Sequence, residues 1–200
     1  MKTLILASAS PRRKMLLEQI GISPEILPSM QEESASASGP EELVCELAKQ
    51  KCEDVVRQFR EEGRRTEDCV FLGADTIVYG NGTVLGKPKD ESDAADMLRA
   101  LQGTTHRVYT GVCLIRPSER TSEEQQLFAV CTEVDVSPMD EAEIAAYLAT
   151  GEPMDKAGAY AIQGIFARHI RAVRGSYSNV VGLPQEEVYT ALKKLGFYKE

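Results

Sequence analysis

One carboxylate lies where the hydropathy pattern calls for an apolar side chain. Asp75 interrupts the apolar run 70–78, which has the pattern of a buried strand. Because an unpaired buried carboxylate is costly, Asp75 requires a cation, a metal ion or a strand end that opens into a cleft. The chemistry of such a group is that of a general base or a metal ligand. The alternative is a structural carboxylate that accepts hydrogen bonds from backbone N–H groups.

Lys51 repeats this anomaly in a helix predicted over residues 40–62. It falls in register with the apolar face of that helix, whereas Lys49 does not. The apolar residues of this face recur at three- and four-residue spacing: Val44, Leu47, Ala48, Val55 and Phe59. A lysine at the edge of such a face can extend its ammonium group into solvent, so the register alone leaves a surface role open. A binding site is indicated only if other cations converge there.

The segment from Ser8 to Arg13 supplies that convergence. It follows a short apolar run, residues 4–7, that is predicted to be a strand. Ser10 as the N-cap and Pro11 at the first helical position predict the start of a helix. The first-turn N–H groups, the two serine hydroxyls and the guanidinium groups of Arg12 and Arg13 can all reach one phosphate. The alternative is an N-capped helix with surface arginines.

Two further stretches are compatible with ligand binding. Lys87 lies on the tight loop Gly86-Lys87-Pro88, for which a surface turn is the alternative. The stretch 155–164 contains Lys156 and is rich in small residues, which let the backbone approach a ligand closely. It also contains Gln163, whose amide offers both a donor and an acceptor. Close packing of a helix on a strand would explain the same glycines.

The elements that must position these residues alternate between strands and helices. Strands are predicted near residues 4–7, 26–27, 69–79, 107–116, 127–136 and 168–173. Helices are predicted from residue 11, over 40–62, 92–101 and 140–149, and after residue 184. Gly80-Asn81-Gly82 predicts a hairpin turn, and residues 31–39 predict a mobile loop. Since a hairpin and an adjacent strand pair break the alternation, we predict a mixed α/β fold, with residues 1–200 as a single domain.

Composition narrows the class of partner. The 200 residues include 23 basic and 31 acidic ones, for a net charge of −8. An acidic chain lacks the basic face that binding to nucleic acid or to anionic membranes needs, and no segment has the length of a transmembrane helix. We therefore expect no nucleic-acid partner and no membrane partner. A zinc site is disfavoured, because the five cysteines show no C-x-x-C spacing and the sequence has only two histidines. Scattered single cysteines suit a reducing compartment, so we predict a cytoplasmic protein.

Six segments of the sequence occur in an order that is typical of one known family. They are residues 6–13, 73–78, 86–88, 106–112, 151–160 and 175–184. Together they resemble the Maf (septum-formation-inhibitor-like) nucleotide pyrophosphatases over nearly the whole chain. The stretch 152–164 is similar to the subgroup that acts on dTTP and UTP, and not to the subgroup associated with 7-methyl-GTP. Residues 165–168 depart from the family, because many relatives carry more glycine there.

This resemblance implies a fold, a reaction and an assembly. The implied fold is that of the inosine triphosphate pyrophosphatases: a mixed, elongated central sheet flanked by helices, with two lobes and a cleft. The implied reaction is hydrolysis of a nucleoside triphosphate to the monophosphate and pyrophosphate, assisted by Mg²⁺ or Mn²⁺. A homodimer is expected at the level of the family.

The resemblance also assigns roles to individual residues. Asp75 matches the proton acceptor, and the residue pattern also makes it a predicted metal ligand. Glu33 matches an acidic loop residue near the metal and is the second predicted metal ligand. The predicted triphosphate-binding set, with Ser10 and Lys156 added from the residue pattern, is Ser8, Ser10, Arg12, Arg13, Lys51, Lys87 and Lys156. Three positions are linked to base selection: Arg12, Thr76 and Gln163.

Two other functions remain open at this point. A nucleotide-binding regulator of cell division with little catalysis would use the same anion-binding cluster, and only the carboxylates Asp75 and Glu33 argue against it. The other is an enzyme of the same chemistry that clears modified or non-standard nucleotides, modified pyrimidine nucleotides among them. Turnover separates the regulator from the enzymes, and a panel of triphosphates separates the two enzymes.

Overall fold

A computed structural model describes residues 2–118 and 123–198. Within these ranges the chain forms seven β-strands and six α-helices. The strands are β1 (Thr3–Leu6), β2 (Glu25–Ile26), β3 (Cys69–Gly80), β4 (Thr83–Leu85), β5 (Thr105–Arg116), β6 (Glu124–Val136) and β7 (Ile170–Arg174). The α-helices are α1 (Pro11–Gln19), α2 (Pro40–Glu61), α3 (Glu91–Leu101), α4 (Glu141–Leu148), α5 (Tyr177–Val181) and α6 (Gln185–Lys194). Short 3₁₀ helices span Glu152–Asp155, Ala157–Ala159 and Ile165–His169.

The strands form one mixed sheet, which confirms the predicted fold class. Its order is β2-β1-β3-β5-β6-β7, with β4 paired to β3 outside this path. β1 runs parallel to β2 and β3, whereas β4 is antiparallel to β3 and β7 is antiparallel to β6. The hairpin predicted between β3 and β4 is present, and its turn residues Asn81 and Gly82 have φ angles of 51° and 78°. Positive φ at both positions is what a two-residue hairpin turn of this kind demands.

The chain divides into two compact units, each built from separate stretches of sequence. The first contains the described residues up to Asp75, those of Thr110–Val130 and those from Gly182 onward. The second contains Thr76–Tyr109 and Cys131–Val181. The assignment of residues 1–200 to a single functional domain stays a prediction.

The first unit is organised by helix α2, which lies directly against the sheet. A Cβ atom on Gly73 of β3 would lie 2.8 Å from Cβ of Cys52, and one on Gly111 of β5 would lie 2.7 Å from the backbone nitrogen of Cys45. Real Cβ atoms do not approach neighbours this closely, so only glycine permits the observed contact. Apolar side chains of α2 and the strands then complete the core beneath it: Ala48, Cys52, Val55, Val56, Phe59, Ile5, Phe71 and Ile115.

In the second unit, a buried asparagine joins α5 to the sheet. Nδ2 of Asn179 donates hydrogen bonds to the carbonyl of Val108 (3.1 Å) and to Oγ1 of Thr132 (3.0 Å). Gly175, at φ 124°, turns the chain between β7 and α5, and a Cβ there would lie 3.0 Å from Oγ1 of Thr132. The sequence predicts no helix at this point, because five residues are too few to display a helical period.

Element boundaries differ from the sequence prediction in two other places. β6 begins at Glu124 rather than near residue 127. Residues 119–122, between the predicted strands 107–116 and 127–136, lie outside the described residues. Residues 165–169 form a 3₁₀ helix, so β7 begins at Ile170 rather than near residue 168. Among the described helices, none has the length and apolar composition to cross a membrane.

Candidate active site

Three of the predicted site residues meet at one point of the first unit. Nζ of Lys51 lies 2.6 Å from Oδ1 of Asp75 and 2.8 Å from Oε1 of Glu33. The Asp75 side chain is 13% exposed and that of Lys51 is 17% exposed, whereas Glu33 is 57% exposed. The buried carboxylate therefore has the cation that the sequence requires of it, and a second carboxylate reaches the same ammonium group from the solvent side.

The sequence of β3 explains how Asp75 and Lys51 come together. Side chains alternate between the two faces of a strand, so Asp75 shares a face with Gly73 and Thr76 points to the opposite face. Gly73 is the position where α2 lies against the strand, between Ala48 and Cys52. Lys51 belongs to that same turn of α2, and the absence of a side chain at residue 73 lets its ammonium group reach Asp75.

Lys51 and Lys49 lie on different faces of α2, as their register in the sequence predicts. The Lys49 side chain is 44% exposed and lies 3.6 Å from Glu53 on the outer face of α2, in a pair of the i,i+4 type. Such exposed pairs contribute little to stability. Lys51 points inward to a carboxylate, and Lys49 points outward.

The segment Ser8–Arg13 forms a hydrogen-bonded turn at the end of β1. Oγ of the buried Ser8 accepts hydrogen bonds from the backbone nitrogen of Ser10 (3.2 Å) and from Nη1 of Arg13 (3.0 Å). The Ser10 side chain caps α1 by accepting from the backbone nitrogen of Arg13 at 3.5 Å, as predicted. Nε of Arg13 donates to the carbonyl of Gly182 at 3.0 Å. Arg13 is thus held over the start of α1 instead of extending into solvent.

Electrostatics place Arg13 in the neighbourhood of the carboxylates. Burial lowers the pKa of the Arg13 guanidinium below its ordinary value, Asp75 and Glu33 act to raise this pKa, and Arg12 acts to lower it. An arginine remains protonated through such shifts, so this part of the site carries a fixed positive charge. Arg12 is half-buried and has no hydrogen-bond or ion-pair partner within residues 2–118 and 123–198.

The remaining predicted residues belong to the second unit. Lys87 is exposed and is without a partner among the described residues. Lys156 is mostly shielded and pairs with the adjacent Asp155. Both lysines belong to one local structure, because the N–H of Gly158 donates to the carbonyl of Gly86 at 3.0 Å. Thr76 is half-buried in β3 and Gln163 is exposed.

A carboxylate that the sequence analysis did not single out organises the chain after Gln163. Glu152 accepts hydrogen bonds from the Tyr147 hydroxyl (2.9 Å) and from the backbone nitrogens of Ile165 (3.0 Å) and Phe166 (3.5 Å). Burial, and then the bond to Glu152, raise the pKa of the Tyr147 hydroxyl, which stays a donor. Glu152 directly precedes Pro153 in a segment that has no helical or strand period, so no periodic pattern could have assigned this role.

A buried histidine, His106, contacts Tyr160 in the same segment of the chain. Nε2 of His106 lies 2.8 Å from the Tyr160 hydroxyl, and the two rings pack edge to face. Burial lowers the pKa of His106 to about 4. The histidine is therefore neutral at physiological pH, consistent with a structural role next to the 3₁₀ segments.

The carboxylates of the first unit suit a divalent cation. Asp75 and Glu33 both direct an oxygen to the single position where the Lys51 ammonium group lies. No group of three or more His, Cys, Asp or Glu side chains arranged for a metal occurs in the part of the chain that is described. Mg²⁺ is commonly held by one or two carboxylates and completed by water and substrate phosphates. Asp75 and Glu33 are thus the two residues of this cluster that could hold such an ion.

This chain is similar to known proteins over nearly its whole length. The sequence profile of the family described as Maf-like protein matches residues 3–195. A dTTP/UTP pyrophosphatase of Agathobacter rectalis is 45% identical over 202 residues, covering 98% of this chain and 98% of that protein. A dTTP/UTP pyrophosphatase of Anaeromyxobacter sp. is 46% identical over 193 residues, covering 96% of this chain and 89% of that protein. A solved structure of a nucleoside-triphosphatase (dITP/XTP pyrophosphatase) from Mycobacterium abscessus is similar with 14% identity and a TM-score of 0.43, covering 98% of this chain and 94% of its own.

Proposed function

Because this chain belongs to the Maf-like protein family, we propose that it hydrolyses dTTP and UTP to the nucleoside monophosphate and pyrophosphate. The observation that carries the proposal is the ion pair between Asp75 and Lys51, in the electrostatic neighbourhood of Arg13 at the start of α1. This arrangement supplies a carboxylate for proton transfer and cations for phosphate within one unit of the fold. Relatives named dTTP/UTP pyrophosphatase that align over nearly the whole chain support the choice of substrate.

Asp75 is the proposed general base. Its carboxylate accepts a proton from a water molecule as the water oxygen forms a bond to the α-phosphorus. The bond between the α-phosphorus and the oxygen that bridges to the β-phosphorus breaks, and pyrophosphate leaves with that electron pair. A base must lie within hydrogen-bond reach of the proton that it takes. Lys51 fixes the position of this carboxylate by a contact of 2.6 Å.

The cations of the site stabilise the charge that develops on the phosphates. Arg12, Arg13 and Lys51, all of the first unit, are the proposed phosphate contacts. Lys87 and Lys156 stay phosphate contacts predicted from the sequence. Arg12 and Lys87, which have no partners within the described residues, give up no existing ion pair when they bind phosphate. Ser8, Ser10 and the N–H groups of the first turn of α1 add hydrogen-bond donors. Thr76 and Gln163 are the proposed contacts to the pyrimidine edge.

Asp75 and Glu33 are the residues that would hold the divalent cation. A bound Mg²⁺ or Mn²⁺ ion would neutralise phosphate charge and polarise the phosphoryl oxygens. Glu33 presents its carboxylate from the solvent side, where a metal–nucleotide complex can reach it. Lys51, which lies between the two carboxylates, would supply a cation to the triphosphate beside the metal.

Two properties outside the reaction belong to the same proposal. We expect the protein to act in the cytoplasm, because its cysteines are scattered single residues that suit a reducing compartment. We also expect a homodimer, on the family resemblance alone. Light scattering coupled to size-exclusion chromatography measures the assembly directly.

A pyrophosphate-release screen tests the function. The purified protein is incubated with dTTP, UTP, the purine triphosphates and 7-methyl-GTP, with Mg²⁺ or Mn²⁺, and both products are identified. We expect monophosphate and pyrophosphate from dTTP and UTP, with purine triphosphates hydrolysed much more slowly. Release of orthophosphate and a diphosphate would overturn the mechanism, whereas a preference for GTP or 7-methyl-GTP would overturn only the specificity. Tight nucleotide binding without turnover would instead favour a regulator of cell division.

A further inference from the structure

Residues 29–37 run along one face of α2 and are tied to it by three side chains of that helix. Asp54, Gln50 and Glu46 are spaced four residues apart, so their side chains lie on the same face of the helix. Each of them binds backbone groups of the segment, with Asp54 nearest its beginning and Glu46 nearest its end. The sequence analysis predicts a mobile loop over residues 31–39. The structure agrees that it lacks regular secondary structure but shows that it is anchored.

Asp54 is the strongest of the three anchors. One carboxylate oxygen, Oδ2, accepts from the Ser29 hydroxyl (2.7 Å) and from the backbone nitrogens of Met30 (2.9 Å) and Gln31 (3.2 Å). Nε2 of Gln58 donates to the same oxygen at 2.7 Å, and Arg57 pairs with the other oxygen. The Asp54 side chain is 3% exposed. A buried carboxylate that accepts this many hydrogen bonds holds the backbone of the segment in place, which an exposed surface contact would not do.

Two weaker anchors follow on the other side of Glu33. Oε1 of Gln50 accepts from the backbone nitrogen of Ser34 at 3.3 Å, and its Nε2 donates to the Ser34 carbonyl. Oε2 of Glu46 accepts from the backbone nitrogens of Ser36 and Ala37, both at 3.1 Å. These side chains are more exposed than Asp54, so water competes for their hydrogen bonds.

The anchors bracket Glu33 closely. Its backbone is held two residues earlier by Asp54, at Gln31, and one residue later by Gln50, at Ser34. Lys51, which receives the Glu33 carboxylate at 2.8 Å, is the residue after Gln50 in α2. The position of Glu33 relative to Asp75 is therefore set by the attachment of the segment to α2 and not by packing of Glu33 itself.

We propose that Asp54 is a positioning residue that acts through Glu33: by fixing residues 29–31 on α2, it keeps the Glu33 carboxylate next to Lys51 and Asp75, ready to receive the metal–nucleotide complex. The proposal rests on the function proposed above for Glu33. Without the anchor, the segment must be ordered each time the metal complex binds, and that ordering opposes binding. Removing the anchor should therefore raise the metal concentration that the reaction needs and leave the rate at saturating metal unchanged.

The variant Asp54→Ala tests this, with Glu53→Ala as a matched control. Glu53 is the adjacent residue of α2, but its carboxylate is half-exposed and pairs only with Lys49 in the described structure. In Asp54→Ala we expect the amides of Met30 and Gln31 to exchange with deuterium faster by about tenfold or more, tenfold being the lower limit of the change that one hydrogen bond to a charged group produces. We expect the Mn²⁺ concentration for half-maximal UTP turnover to rise by a similar factor, with kcat at saturating Mn²⁺ within about threefold of wild type. Glu53→Ala leaves both quantities unchanged.

A double-mutant cycle tests whether Asp54 acts through Glu33. In a Glu33→Gln background, Asp54→Ala is expected to produce no further change in Mn²⁺ dependence, because the carboxylate that it positions is already absent. An equal shift in both backgrounds would overturn the proposal and assign Asp54 a purely structural role. If Asp54→Ala does not fold, Ser29→Ala removes one of the same contacts and is expected to shift both quantities in the same direction.

The proposal can fail separately from the proposed function. Deuterium exchange of residues 29–37 and Mn²⁺ binding in the presence of UTP, followed by the paramagnetic resonance of free Mn²⁺, need no turnover. If no triphosphate is hydrolysed, these two measurements still decide whether Asp54 positions Glu33. If turnover is present but Asp54→Ala leaves exchange and Mn²⁺ binding unchanged, the positioning role is wrong and the pyrophosphatase function stands.

Discussion

Oδ1 of Asp75 lies 2.6 Å from Nζ of Lys51, and both side chains are largely shielded from solvent. The two residues are 24 positions apart in sequence and belong to different elements, β3 and α2. Each would be unfavourable in its position without the other, since a shielded charge that loses its partner is strongly destabilising. Substitutions at the two positions should nevertheless differ in their consequences, because only the carboxylate can take a proton from water.

Asp75→Asn keeps the shape of the side chain and removes both the proton acceptor and the negative charge. We expect turnover of UTP to fall by roughly 10²–10⁴-fold, the usual contribution of positioned proton transfer. Triphosphate binding measured without metal should survive or tighten, because one carboxylate that repels the phosphates is gone. Thermal unfolding and kcat are measured on the same preparation. Near-normal kcat in a destabilised protein would mean that Asp75 is only structural.

Lys51→Ala removes a cation that is predicted to contact the triphosphate. We expect kcat/KM to fall by an amount equivalent to about 1.5–3 kcal/mol, the worth of a hydrogen bond to a charged group. Lys49→Ala, on the outer face of the same helix, should leave kcat/KM unchanged. Circular dichroism of both variants checks that they are folded. Identical kinetics in the two variants would contradict the assignment of Lys51 to the site.

Tyr147→Phe tests whether the segment after Gln163 contributes to base selection. The change removes the hydroxyl that donates to Glu152 and that accepts from the backbone nitrogen of Ala161 at 3.3 Å. We expect the ratio of kcat/KM for UTP to that for GTP to fall by about tenfold, the equivalent of one hydrogen bond. Tyr189→Phe, on an exposed face of α6, is the control. An unchanged ratio with lowered thermal stability would confine Tyr147 to a structural role.

His106 makes stability depend on pH in a defined direction. Its pKa is lowered from 6.5 to about 4 in the folded chain, so the unfolded chain binds a proton first as the pH falls. The contribution of His106 to the free energy of unfolding is therefore constant above the unfolded pKa and declines as the pH falls from about 6.5 toward 4. Between pH 7 and pH 5 this group alone should lower the free energy of unfolding by about 2 kcal/mol. His169, whose pKa is lowered by burial and then by Arg168, acts in the same direction.

Denaturant unfolding at the two pH values measures this effect. His106→Gln is expected to have a smaller difference in unfolding free energy between pH 7 and pH 5 than wild type, whatever its absolute stability. An identical difference in both proteins would show that His106 does not titrate as its burial requires.

The two residues that violate the hydropathy pattern, Asp75 and Lys51, are also the two that the structure pairs. Such violations are visible in sequence because the surrounding positions are periodic and apolar. The role of Ser10 as the N-cap of α1 is likewise predictable from sequence, since helix capping is a local property of a few adjacent residues. For these residues the sequence carries nearly all the information that the structure adds.

The contacts of Glu33 and Glu152 cannot be predicted from a hydropathy pattern. Glu33 lies in a polar segment without periodicity, and its contact with Lys51 depends on backbone hydrogen bonds to side chains of α2. Glu152 binds backbone N–H groups 13 and 14 residues later in the chain. A carboxylate that binds the backbone leaves no complementary side chain in the sequence for a pattern to detect.

The close contact of α2 with Gly73 limits how this protein can vary over evolution. The obstruction that a new side chain at position 73 would meet includes the carbonyl oxygen of Ala48 and the backbone nitrogen of Cys52. Every amino acid carries that carbonyl, so no replacement at position 48 can make room for one at position 73. A larger residue there could be accommodated only by moving the whole helix away from the strand, which would carry Lys51 away from Asp75. Descendants of this sequence are thus free to exchange apolar side chains along α2, while position 73 has no compensating substitution open to it.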